Sequence, residues 1–111
     1  MTVKDVTERA RQIAEDTVEP YRYDDAAVQG YIGLALQQLN LAVPSTRYVD
    51  GQLTDYTEVP PSPSDTIAVH QKYLEALAMY VAGQCYLNDA TDTVNGTRAD
   101  ACLARAMALM K

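Results

Sequence analysis

Apolar residues recur every three or four positions through most of this chain, and a single stretch in the middle breaks the rhythm. Val3, Val6, Ala10, Ile13 and Thr17 fall on one stripe, which predicts a first helix over 3–17. Thr2 is placed to cap it and Asp5 to complete a capping box, while Pro20 blocks any continuation. Glu8, Arg9, Arg11 and Glu15 are expected on its outer faces. A second helix over 24–42 opens on Asp24 and Asp25, whose carboxylates accept from free backbone amides and favour the positive end of the helix dipole. Its main stripe is Val28, Ile32, Ala35, Leu39 and Ala42, but Tyr31, Leu34, Leu36 and Leu41 carry apolar surface around to other sides. A helix apolar beyond one face is either deeply buried or shared with a neighbouring subunit.

The pattern resumes after residue 64. Ser64-Asp65 reads as a cap pair for a third helix over 64–88, with His70, Leu74, Leu77, Val81 and Cys85 on the core stripe and Tyr73, Tyr80 and Leu87 on a second one. A fourth helix over 92–110 turns Val94, Ala99, Cys102, Ala106 and Leu109 inward. Gly96 weakens its first turns by about 1 kcal/mol relative to alanine, which allows a start as late as 97.

Between the second and third helices, residues 44–64 hold four of the five prolines: Pro44, Pro60, Pro61 and Pro63. Asp50-Gly51 suits a tight two-residue turn, and Tyr48, Val49, Leu53 and Tyr56 would line a two-stranded ribbon around it. An isolated hairpin of this kind is marginal in water and needs a partner surface. The proline-rich stretch behind it reads as a stiff extended spacer. The expected fold is therefore all-α: one domain over 1–111, a small four-helix bundle with a long loop or β-hairpin arm over about 44–64.

Composition changes this picture in two ways. The net charge is −6 with nine basic and fifteen acidic residues, which weighs against general nucleic-acid binding, since that needs basic surface to displace counterions from phosphates. The eight tyrosines stand without any Phe or Trp, and tyrosine suits half-wet surfaces and interfaces. Tyr31, Tyr48, Tyr56, Tyr73 and Tyr80, with Val49 and Leu53, are the expected partner-facing residues. No apolar run is long enough for a membrane span, and the first residues lack the apolar core of a secretory signal. Cys85 and Cys102 read as buried thiols of a reducing compartment.

Catalytic inventory is thin. His70 is the one histidine and falls on a predicted core stripe; Cys85 on the same helix would lie about 22 Å away at 1.5 Å per residue. No glycine-rich phosphate loop, metal-spaced Cys/His cluster or nucleophile elbow occurs. Asp24 and Asp25 are explained by capping, and Asp89 with Asp92 lacks the closing glutamate of a calcium loop. The expectation is a non-enzyme without cofactor or metal.

Arg9-Ala10-Arg11, then Asp16, then Arg22-Tyr23 and Asp25 opening a helix, resembles the start of tailed-bacteriophage head-to-tail adaptor proteins, also called connector or head-completion proteins. Leu77, Tyr80-Val81, Tyr86-Leu87, Asp89, Asn95 and Arg98-Ala99 resemble that family's last two helices. The likeness covers about 3–43 and 67–109 and leaves the arm outside it. Tyr23 stands where the family pattern has Trp. The resemblance implies a structural virion protein assembled in the host cytoplasm. It would be a homo-oligomeric ring, commonly of twelve copies, between the portal protein and a tail nozzle or stopper protein. DNA would pass through the lumen without sequence-specific binding. The alternative is a small helical protein-interaction module of bacterial or phage origin with no catalytic activity.

Overall fold

A computed structural model describes residues 1–49, 52–53, 57, 59–60, 62–88 and 93–110. The chain is mainly helical, with four α-helices: α1 (Val3–Ile13), α2 (Asp25–Ala42), α3 (Leu74–Asn88) and α4 (Thr93–Leu109). Helix α3 is mostly apolar, with Ala76, Leu77, Ala78, Val81, Ala82, Cys85 and Tyr86 buried around it, and a helix of that kind belongs in the interior. Helices α1, α2 and α4 each pack on it, and α2 and α4 make no substantial contact with each other. Val6, Ile32, Leu36, Leu39, Leu77 and Val81 form the dry centre of the core. Helix α4 runs back antiparallel along α3, with Gly83 against Leu103 and Tyr86 against Arg98.

Two of the expected helix ends move, each for a physical reason. Helix α1 carries the expected capping box between Thr2 and Asp5, but it stops at Ile13, four residues short. Glu15 turns left-handed (φ 58°) and its N–H donates to the Gln12 carbonyl, while the Asp16 N–H donates to the Arg11 carbonyl. That pairing is a Schellman motif, usually announced by glycine at the left-handed position. Here glutamate occupies it, at a cost of about 1–2 kcal/mol. Thr17, expected on the core stripe, lies past the helix end and is exposed. Ala42, expected on the α2 stripe, is exposed as well, whereas Leu36 is fully buried.

Helix α3 starts ten residues later than expected. Ser64 and Asp65 sit in a turn closed by the Asp65 N–H on the Ser62 carbonyl, and Thr66 bridges to Thr2 in antiparallel fashion. The Ile67 N–H then donates to the Met1 carbonyl, so the backbone at 65–67 spends its hydrogen bonds on the chain's first residues rather than on a helix. His70 is not a core residue. It is exposed, and its Nδ1 accepts from the Lys72 N–H to start a 3₁₀ turn, Gln71–Tyr73, that leads into α3. In α4 the helix begins at Thr93, upstream of Gly96, and Val94 faces solvent instead of the core.

The segment between α2 and α3 is fastened to the body at its described positions. After a 3₁₀ turn, Pro44–Arg47, two short antiparallel strands follow: β1 (Tyr48–Val49) and β2 (Gln52–Leu53), with Tyr48 opposite Leu53. Past them the chain does not stand away as a free spacer. Val59 packs on the core beside Gly33, the Pro60 carbonyl accepts from Gln29 Nε2, and the Pro63 carbonyl accepts from the Lys4 N–H. The strap thus follows α2 down to the start of α1.

Candidate interaction surface

The adaptor-like residues of the first half converge on the end of α1. Arg11, expected on an outer face, is only 6% exposed and is the centre of the arrangement. Its Nη1 donates to Asp16 Oδ2 and to the Tyr23 carbonyl, and its Nη2 donates to Asp25 Oδ1, each at 2.8 Å. The Tyr21 ring stacks 3.8 Å from the guanidinium carbon. The Asp16 carboxylate in turn accepts from the Arg22 and Tyr23 N–H groups. A buried charge is costly unless paired and hydrogen-bonded, and this one is satisfied on every side. The cluster ties the 14–24 connection to the starts of both α1's exit and α2's entry; it presents no open catalytic position.

The second half of the motif meets the same helix end. Tyr86 is buried, its hydroxyl donates to the Ile13 carbonyl, and Arg98 lies over its ring. Burial raises the Tyr86 phenol above its ordinary pKa. Asn95 is buried nearby in α4. Arg9 stands apart: it grips Glu75 of α3 through two bonds, 2.9 and 2.8 Å, and this pairing lowers the Glu75 pKa. Asp89 lies outside the described residues, as does Tyr56. Arg9, Arg11, Asp25 and Tyr86 are thus braces between helices, and Asp16 completes the corner around Arg11.

The expected partner-facing residues divide. Tyr48 is 58% exposed. Val49 of β1 pairs through its backbone with Gln52, and Leu53 of β2 with Tyr48. Tyr31 is half-buried, with its hydroxyl bonded by Asn88 Nδ2, and burial raises its pKa. Tyr80 is also half-buried against the core. Tyr73 is a correction: it sits in the core, because the late start of α3 turns the 71–73 turn inward. Sequence reasoning missed Asn40 altogether. Its Nδ2 donates to Thr46 Oγ1 and Thr57 Oγ1, and its Oδ1 accepts from the Thr57 N–H at 2.6 Å. One buried amide therefore clasps the residues on both flanks of β1 and β2. Only an asparagine among leucines, Leu39-Asn40-Leu41, signalled it.

Chemistry-bearing groups do not assemble elsewhere among the described residues. Burial pushes the Cys85 thiol up to about 12, which leaves it protonated and inert at neutral pH. Cys102 is half-buried and shifted the same way. His70 lines a groove of about 260 Å³ with Ser45, Thr46, Tyr48, Lys72 and Tyr73, and among the described residues no carboxylate borders it to orient an imidazole base. Among the described residues no set of three His, Cys, Asp or Glu side chains is placed to hold a metal, and no helix is long and apolar enough to cross a membrane.

What the surface does carry is apolar. No charged residue occurs from Ala26 to Thr46. On the side of α2 opposite its buried stripe lie Gly30, Leu34, Gln37 and Leu41, with Leu34 44% and Leu41 62% exposed. The solvent side of a helix ordinarily bears charge, so this face is anomalous. Leu87 at the end of α3, and Val94 and Met107 on α4, are exposed too. No family model, curated protein or solved structure matches the chain.

Proposed function

We propose that this chain is a non-enzymatic structural subunit: a head-to-tail adaptor that forms a ring, commonly of twelve copies, between the portal and the tail of a phage virion. The observation that carries this reading is exposed apolar surface on two helices, Leu34 and Leu41 on α2 and Val94 and Met107 on α4, both of which pack against a central α3. A ring subunit repeats one heterologous contact and needs two different complementary patches. The adaptor-like motif residues support the reading by bracing the helices that would present those patches. The net charge of −6 per copy suits a lumen through which DNA slides without binding. Assembly takes place in the host cytoplasm and the product resides in the virion.

The segment over 48–56, described at 48–49 and 52–53, then acts as an arm that orders against a neighbouring copy, the portal or the tail nozzle. Its stem is held by the Asn40 clasp, while Tyr48 offers an exposed ring for the partner. Ordering on contact costs part of the gain, so free copies stay apart until a platform concentrates them. Electron microscopy of the chain mixed with its cognate portal tests the assignment: a ring seated on the portal is expected, and a chain that ignores the portal overturns it. Hydrogen exchange of residues 48–56 tests the arm, because equal protection in free and assembled protein excludes ordering on contact.

A further inference from the structure

We propose that the groove between the two 3₁₀ turns, Pro44–Arg47 and Gln71–Tyr73, binds an acidic side chain presented by a peptide segment of a protein partner. Nothing in this site depends on ring formation, and the outer faces of α2 and α4 take no part in it. Ser45, Tyr48, His70 and Lys72 line the groove, and all four can donate hydrogen bonds. Among the described residues no carboxylate lines it.

Lys72 is the centre of the argument. Lys4, Arg9 and Arg11 each meet a carboxylate of their own chain. Lys72 meets none among the described residues, and its Nζ lies 5.1 Å from the centroid of the Tyr73 ring instead. Its three ammonium donors are therefore left for a ligand. His70 adds a fourth. Its Nδ1 accepts from the Lys72 N–H, so the proton of the neutral ring sits on Nε2 and makes that nitrogen a donor. The Ser45 hydroxyl has no partner among the described residues, whereas Thr46 is spent: its Oγ1 donates to the Val43 carbonyl and accepts from Asn40.

Those same bonds set both walls before a ligand arrives. Asn40 holds the wall at Thr46, and the Tyr73 N–H donates to the His70 carbonyl to hold the other. Donors fixed in advance cost less to order on binding. Charge and size then select the ligand. The net charge of −6 repels a long polyanion, while a peptide side chain brings a single charge to a donor-rich spot. The volume, about 260 Å³, lies below the roughly 300–1,000 Å³ of small-molecule pockets, so a side chain suits it better than a free metabolite. Val69 and Tyr73 supply apolar lining for the methylenes of a glutamate. One exposed ion pair contributes little, so several donors must act on the same carboxylate, and added salt weakens the contact.

Nuclear magnetic resonance titration of the full chain tests this. The probes are an acetylated and amidated peptide of alternating leucine and glutamate, its glutamine counterpart, inorganic phosphate and a short oligothymidylate. The glutamate peptide is expected to shift the signals of Ser45, His70 and Lys72 and to bind at least about tenfold tighter than the glutamine peptide. Lys72→Met keeps the stem and removes the charge. His70→Asn keeps an acceptor for the Lys72 N–H and removes the Nε2 donor. Each should weaken the glutamate peptide about tenfold while circular dichroism stays that of the parent. Equal binding of the two peptides, shifts confined to other surfaces, or full affinity in both variants overturns the proposal. Tighter binding of phosphate or the oligonucleotide in this groove also overturns it, by assigning the donors to a different anion.

Discussion

Two regions of this molecule treat their side chains in opposite ways. At the end of α1 the chain buries a full charge, Arg11, and surrounds it with two carboxylates, a carbonyl and an aromatic face. Along the outside of α2 it exposes Leu34 and Leu41, and a glycine, Gly30, whose added Cβ would meet nothing within 4 Å. The first region is complete within one copy and therefore concerns the stability of the monomer. The second leaves apolar surface in contact with solvent, and contributes little to the stability of the monomer.

Substitutions can break or sharpen that contrast. Arg11→Ala should give the largest loss, about 3–5 kcal/mol in urea denaturation, because it strands the buried Asp16 carboxylate. A loss under 1 kcal/mol would mean that the corner is not the brace described here. Gly83→Ala comes next. Its Cβ would press on the Leu103 Cγ, which is no flexible tip, and forcing α4 off α3 should cost about 1–3 kcal/mol with a lowered thermal midpoint. Gly30→Ala should act in the opposite direction, stabilising the monomer by about 0.5–1 kcal/mol in the same measurement. Leu34→Gln should leave monomer stability within about 0.5 kcal/mol of the parent and abolish ring formation, read by light scattering on the portal. If Leu34→Gln instead unfolds the chain, the outer face of α2 belongs to the core and the contrast disappears.

Much of the fold was legible in the sequence because apolar periodicity reports burial directly. The four helices and the stripes Val3-Val6-Ala10 and Val28-Ile32-Ala35-Leu39 follow from it. Helix ends were less legible because they depend on where backbone hydrogen bonds go. Glu15 hides a left-handed stop behind a residue that ordinarily favours helix, and Ser64-Asp65 imitates a cap while the backbone beside it pairs with Thr2. The polar corner was half legible. Its residues could be picked out as a motif, but Arg11 looks like any surface arginine until the 16–25 connection folds over it. The exposed character of Leu34 and Leu41 was visible as an excess of apolar positions on α2. Its chemical completeness, an uncharged face with a glycine at its centre, needed the helix placed against α3.

Asn40 has a consequence for how this protein can change. By holding Thr46 and Thr57 to one side chain, it fixes the distance between the two ends of the excursion that contains β1 and β2. The entropy of closing that excursion is met at its root, and lengthening it adds only about 0.6 kcal/mol per doubling. Residues beyond the root can be exchanged, inserted or removed while the helices keep their places. A lineage could rewrite that stretch and leave its scaffold untouched.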